Sequence, residues 1–172
     1  NYEKLSRTID FLEKNKRKSI LMGIVPSLFS FGELFPKKLN HTIIMETGGM
    51  KNLTDDITRK EIHQKLKDFF GVDSIHSEYG MTELLSQGYS VKNGIFRNPP
   101  WMKMFTYELN NPFKRTAIGK VGRLNIIDLA NQESCSFIST DDIGRSFNDS
   151  SYEVLGRLDG ADLRGCNLLF SQ

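Results

Sequence analysis

Two short apolar runs with one helix-length segment between them constrain this chain more than any other feature. Ser19-Ile-Leu-Met-Gly-Ile-Val25 reads as a buried strand ended by Pro26, and Thr42-Ile-Ile-Met45 reads as a second. Between them Ser27 to Phe35 reads as a short apolar helix, stopped by Pro36 and a Lys pair. Strand, helix, strand with short connections is the signature of a parallel α/β layer. Ahead of it, Tyr2, Leu5, Ile9 and Leu12 recur at helical spacing, so the opening segment reads as an amphipathic helix. Lys14 to Lys18 forms a basic stop suited to that helix's C-terminus. After it, Thr58-Arg-Lys-Glu61 is a capping box for a helix with an apolar face of Ile62, Leu66, Phe69 and Phe70. Gly71 is placed to close that helix in the left-handed conformation. Ser74-Ile75 then reads as a third strand. In a parallel sheet the loops Gly48-Gly49 and Tyr79 to Glu83 would emerge at one edge, where open α/β sheets place ligands.

Past residue 95 the pattern changes. Met102 to Leu109, Gly122 to Leu129 and Ser136 to Ser139 are short strand-like runs separated by Asn, Gly and Pro. The last two read as a hairpin, with Ser139 to Arg145 at its far end, and Tyr152 to Leu155 reads as a further strand. The expected fold class is therefore α/β: a partial Rossmann-like parallel layer over 1–95, then a small β-rich subdomain, a meander or distorted barrel, over 96–172. Cys135 is expected in a strand of its core.

Composition removes several function classes. A net charge of +2 is too small to argue for nucleic acid, and no Lys/Arg cluster interleaves with aromatics. The longest apolar runs are far short of a membrane span, and no leader pattern is present. Two cysteines, Cys135 and Cys166, make neither a disulfide framework nor a C-x-x-C, so a reducing cytoplasm is the expected setting. The chain opens on Asn1 already inside a helical pattern, which reads as a fragment or processed half.

Chemistry concentrates in Tyr79-Gly80-Met81-Thr82-Glu83, which offers an aromatic, a residue free to take positive φ, a hydroxyl and a carboxylate. Those groups suit a nucleotide: a ring for a base, a hydroxyl for a phosphate oxygen, a carboxylate for Mg2+. The same residues also read as an ordinary exposed turn. Two further polar clusters follow, Thr140-x-Asp142 and Gly156-Arg157-x-Asp159, with Arg164-Gly165 shortly after. Of the remaining polar residues, His76 reads as hydrogen-bonded structure or a ligand neighbour, and His41 and His63 lack metal-ligand spacing. Trp101 reads as a packed loop anchor and Asp55-Asp56 as a solvated turn.

In this order and at these gaps, the three clusters resemble the core motifs of the adenylate-forming superfamily of acyl-CoA synthetases, luciferases and peptide-synthetase adenylation domains. The tail Gly156-Arg-Leu-Asp-Gly-Ala-Asp-Leu-Arg-Gly-Cys-Asn-Leu-Leu169 resembles the acyl-protein synthetase branch, the fatty-acid-activating component of bacterial luminescence reductases. The resemblance implies that Gly48 and Gly49 pass the adenine, Tyr79 and Gly80 carry the stacking turn, and Thr82 meets the α-phosphate. It further implies Glu83 as Mg2+ ligand, Asp142 as acceptor of the ribose hydroxyls, Arg157 as a ribose or phosphate contact and Asp159 as a hinge. The implied cofactors are ATP and Mg2+, and the implied reaction joins a fatty carboxylate to AMP with release of pyrophosphate. Cys166 matches the cysteine that receives the acyl group, a small buried hydrophobe being the alternative. A carboxylate–CoA ligase of the phenylacetate type, with CoA as acceptor, and a non-catalytic remnant or interaction domain remain open. Implied partners are the carboxylate substrate and an acyl reductase or CoA. The chain departs from the family in lacking the Ser/Thr/Gly phosphate loop and the lysine of a full C-terminal domain, and 159–164 runs one residue short. On that ground the chain alone is expected to bind adenosine moieties poorly and to be inactive.

Overall fold

The computed structural model describes residues 1–48 and 57–158. Helix α1 (Tyr2–Lys14) is capped by the Asn1 side chain, which accepts from the Lys4 amide. Near its end Glu13 leaves the helix surface and accepts from the amides of Asn40 and His41 and from Thr42 Oγ1. Burial raises the Glu13 pKa, but these donors outweigh it and the net shift is downward. One carboxylate thus ties α1 to the chain entering the second strand.

Strands β1 (Ser19–Ile24) and β2 (Thr42–Thr47) pair in parallel from Ser19 opposite Thr42 to Ile24 opposite Thr47. Helix α2 (Val25–Leu34) crosses between them. It begins two residues before the expected Ser27, and Pro26 lies in its first turn instead of ending the strand. A proline costs a helix nothing there, because first-turn amides have no intrahelical acceptor. Helix α3 (Arg59–Phe70) carries the expected capping box between Thr58 and Glu61 and ends on Gly71 at φ 58°.

The third parallel strand is displaced from expectation. Ile75 is fully buried, but the strand β3 is His76–Tyr79, pairing Met45 with His76 and Thr47 with Glu78. Its polar composition hid it, since sheet pairing here follows the neighbouring β2 and not local propensity. Strand β4 (Gly88–Ser90), not anticipated, adds antiparallel to β3 and closes the first sheet in the order β1-β2-β3-β4. Leu21, Val25, Leu28, Phe31, Ile44, Ile62, Leu66 and Phe70 fill the layer between this sheet and the helices.

The second sheet comprises β5 (Ile95–Phe96), β6 (Met102–Glu108), β7 (Asn111–Arg115), β8 (Gly122–Asp128), β9 (Phe137–Ser146) and β10 (Tyr152–Arg157). Their order is β5-β10-β9-β8-β6-β7, every pair antiparallel. β8 alternates buried and half-buried positions along its whole length, which is why its inward residues Leu124 and Ile126 anchor a second core with Phe96, Met102, Met104 and Tyr152. The α/β class with a parallel layer and a β-rich sheet is thus observed. β9 runs seven residues beyond the expected Ser139, so Thr140 to Arg145 belong to a strand and not to a loop beyond a hairpin. Cys135 is also corrected: it lies exposed in the β8–β9 connection, outside the core, with its thiol toward Phe137 O.

Candidate functional site

Tyr79 is the last residue of β3, and its phenol crosses from the first sheet to the second. Its Oη donates to Asp142 Oδ2 at 2.7 Å. Asp142 lies in β9 directly opposite Arg157 in β10. That pairing depends on a β-bulge between Val154 and Gly156, which shifts the register by one residue and brings Arg157 level with Asp142. Arg157 Nε stands 3.4 Å from Asp142 Oδ1, and Arg157 Nη2 stands 3.9 Å from Asp141 Oδ2. Arg123 of β8 approaches Asp141 Oδ1 at 3.9 Å. Thr140 braces the backbone: its hydroxyl donates to Leu124 O at 2.7 Å and accepts from the Asp142 amide at 3.0 Å.

The surroundings of Tyr79 fix its protonation state. Its ring meets Phe96 and Tyr152 edge-on at 6.2 and 6.0 Å between centroids. Burial, then the adjacent Asp142 charge and the hydrogen bond to it, push the phenol well above its ordinary pKa. Tyr79 therefore keeps its proton and acts as the donor in this pair.

The turn that follows is held from the second sheet. Leu84 N donates to Met81 O, and Thr82 and Glu83 are exposed at the rim. Glu83 O accepts from Asn131 Nδ2 at 2.7 Å. The same amide nitrogen donates to Cys135 O. Below the turn, Asp128 is fully buried and accepts four hydrogen bonds: Leu85 N at 3.1 Å, Ser86 N at 2.8 Å, Ser86 Oγ at 2.8 Å and Ala130 N at 3.2 Å. Burial alone would raise the Asp128 pKa, yet these donors carry it below the usual carboxylate value. Trp101 joins the clasp through Nε1 to Ser86 Oγ at 2.9 Å, but half of the residue is exposed, so it is tethered by this bond and not packed as expected.

Asp128 and Asn131 were not singled out in the sequence. A signal exists for the first: Gly122, Leu124, Ile126 and Asp128 alternate along one strand face, which sends a carboxylate inward, where it must find donors. Nothing local marks Asn131.

Gly48, the residue after β2, lies at the same sheet edge. Gly48 takes φ 88°, a conformation that side chains disfavour, and Thr47 Oγ1 donates to Glu78 Oε1 at 3.3 Å across β2 and β3. Gly49, Asp55, Asp56, Asp159, Arg164 and Cys166 lie outside the described residues. Gly80 does not use positive φ, contrary to expectation. A methyl group there would come within 3.1 Å of Gln87 Cγ, a side-chain atom that would have to give way slightly. His76 opens β3 at the far end from the loop, beside Lys38, Asn40 and Ser74, and burial lowers its pKa. His63 is buried beneath β2, its Nε2 3.4 Å from Glu46 Oε1.

Tyr79, Asp142 and Arg157 thus converge, with Gly48, Thr82 and Glu83 on loops at the rim. Among the described residues no group of three or more His, Cys, Asp or Glu could hold a metal by itself. A single carboxylate such as Glu83 suits Mg2+ that arrives already bound to phosphates, because that ion keeps most of its other ligands as phosphate or water oxygens.

No family model and no curated protein matches the chain. Solved structures do. An ATP-bound MatB from Rhodopseudomonas palustris superposes with a TM-score of 0.66 at 15% identity, over 91% of this chain and 33% of that one. The o-succinylbenzoate CoA synthetase MenE of Bacillus subtilis gives 0.65 at 16% identity, over 92% and 34%. A long-chain-fatty-acid–CoA ligase, FadD1, from Archaeoglobus fulgidus gives 0.63 at 14% identity, over 92% and 37%. The chain therefore spans about a third of the length of the structures it resembles. The likeness extends across both sheets and is a likeness of fold, and that fold is the one implied by the resemblance to adenylate-forming enzymes.

Proposed function

We propose that this chain supplies the adenosine side of an ATP-dependent, adenylate-forming ligase that activates a carboxylic acid. The observation that carries the reading is the meeting of Tyr79, Asp142 and Arg157, which lie 63 and 15 residues apart in sequence, at the edge where β2 and β3 end. Asp142 would take the ribose hydroxyls, Tyr79 would face the base with its ring, and Gly48 and Gly49 would let the backbone approach it. Thr82 would donate to the α-phosphate as negative charge grows there, and Glu83 would contribute one carboxylate to the Mg2+ carried by ATP. Bound Mg2+ supplies charge neutralisation at the phosphates. The part played by these side chains is placement and exclusion of other geometries.

The finer reading is that the acid is a long-chain fatty acid and that the acyl group passes to Cys166, whose thiolate would displace AMP. It is supported by the sequence from Gly156 to Leu169. Two structural neighbours, a fatty-acid–CoA ligase and a CoA synthetase, favour CoA as the competing acceptor. The whole activity is proposed for the chain together with the remainder that those neighbours carry.

The test is carboxylate-dependent ATP–pyrophosphate exchange by the polypeptide containing this chain. Glu83→Ala should reduce exchange by at least about a hundredfold, as for loss of one charge-stabilising group. Exchange at the wild-type rate would remove Glu83 from the reaction. Hydroxylamine-labile acyl label on protein that disappears in Cys166→Ser, with exchange retained, favours the protein thiol. Label released as acyl-CoA favours the other acceptor.

A further inference from the structure

The hydroxyl of Tyr79 has no task in the reading above, which uses only its ring. Yet it makes a short side-chain contact from the first sheet to the second, 2.7 Å to Asp142 Oδ2. Arg157 approaches the other oxygen, Oδ1, at 3.4 Å. Each carboxylate oxygen thus faces one protein donor from a different strand, β3 on one side and β10 on the other. An ionised carboxylate can accept about four hydrogen bonds, so each oxygen keeps capacity for one more. The Asp142 side chain remains 16% exposed, enough for a ligand to reach it. Two spare acceptor positions, one per oxygen of a rigid planar group, match the two hydroxyls of a vicinal cis-diol.

Holding that plane still requires donors that do not wander. The Thr140 hydroxyl fixes the Asp142 amide, and Tyr79 is packed edge-on against the stacked pair of Phe96 and Tyr152, so its Oη position is set by ring packing. The Arg157 contact is the looser of the two, since its Nε is buried but without a hydrogen-bond partner of good geometry. The phenol is therefore the better locator of the carboxylate.

We infer that Tyr79 is a positioning residue whose hydroxyl orients Asp142 to select a ligand bearing a cis-diol over its deoxy analogue. The inference rests on the adenosine reading of this cleft and adds where the sugar selectivity originates. The deoxy form would leave one carboxylate oxygen short of a partner, and an unmet buried acceptor is what makes hydrogen-bonding sites discriminate. If the plane can rotate, that mismatch is relieved and discrimination falls.

The experiment compares AMP and 2′-deoxy-AMP binding to the purified polypeptide containing this chain by ligand-observed NMR. The variants are Tyr79→Phe, which keeps the ring, and Asp142→Ala. Wild type should favour AMP by about tenfold, the effect of one hydrogen bond to a charged group. Tyr79→Phe should bring that ratio toward unity while deoxy-AMP binding stays within about twofold of wild type, because the ring surface is unchanged. A preference retained in Tyr79→Phe but lost in Asp142→Ala overturns the positioning role and leaves the adenosine reading standing. Absence of AMP binding to wild type at about 10 mM, weaker than any ordinary nucleotide site, overturns the adenosine reading and this inference with it. A second measurement needs no ligand: the 13Cζ shift of Tyr79 at neutral pH in wild type and Asp142→Ala. Loss of the acceptor should move that shift, and an unchanged shift overturns the contact on which the inference depends.

Discussion

Asp128 shows how much one side chain can organise. It sits at the inward end of β8 and receives two backbone amides and a hydroxyl from the turn after Glu83 and a third amide from Ala130. A buried carboxylate is tolerable only with such a set of donors, and with them it is a strong fastener. Asp128→Ala leaves those donors unmet and should destabilise the chain by about 2–4 kcal/mol, read as a lowered urea midpoint. The pH dependence follows from the direction of its shift. Because the folded-state pKa lies below the unfolded one, its contribution is complete above the ordinary Asp value near 4. It is lost as pH falls through the lower folded-state value. Wild type should therefore lose stability on acidification below about pH 4, and Asp128→Asn should lack that component of the slope. Equal acid slopes in the two proteins would show that Asp128 is not ionised in the fold.

Among the elements, α3 is the one most completely written into its own residues. Thr58 and Glu61 exchange capping bonds at its start, Ile62, Leu66 and Phe70 are buried along one stripe, and Gly71 ends it in the left-handed region. The terminal glycine does more than turn the chain. A methyl group there would lie 3.2 Å from the Lys38 Cα, backbone that cannot move aside easily. Gly71→Ala should therefore cost the left-handed penalty of about 1–2 kcal/mol, together with whatever the Lys38 contact adds. Chemical denaturation checks this, and an unchanged midpoint would mean that the helix end can refold into another cap. β3 is the opposite case. His76-Ser-Glu-Tyr79 has neither a branched run nor a clean alternation of polarity, and it is a strand because β2 and β4 offer hydrogen bonds on both sides.

At the scale of the whole molecule, two hydrophobic cores lie under two sheets, and polar contacts join them near the candidate site. Tyr79 to Asp142, the Asp128 clasp and a bridge between Tyr89 and Arg97 all span the junction. Loosening the junction should leave the cores intact. In Asp128→Ala, hydrogen exchange at the amides of Leu85 and Ser86 should quicken by more than about tenfold relative to those of Ile44 and Leu66, a sub-global opening distinct from global unfolding. Uniform acceleration at all four would mean that the sheets unfold as a single unit. The parts of this architecture readable from residues alone are those governed by neighbours in the chain: the periodicity of α1, the capping box and glycine of α3, the apolar runs of β1 and β2, and the polar motifs themselves. Local rules suffice there because the interacting groups lie within a few positions of one another. What the tertiary structure decided is the pairing of Tyr79 with Asp142, the bulge that sets Arg157 opposite it, the inward burial of Asp128, and the exposure of Cys135. Those depend on strand register and on contacts between groups 15 to 63 residues apart, and register is settled by whole-sheet packing, to which no short window of sequence has access.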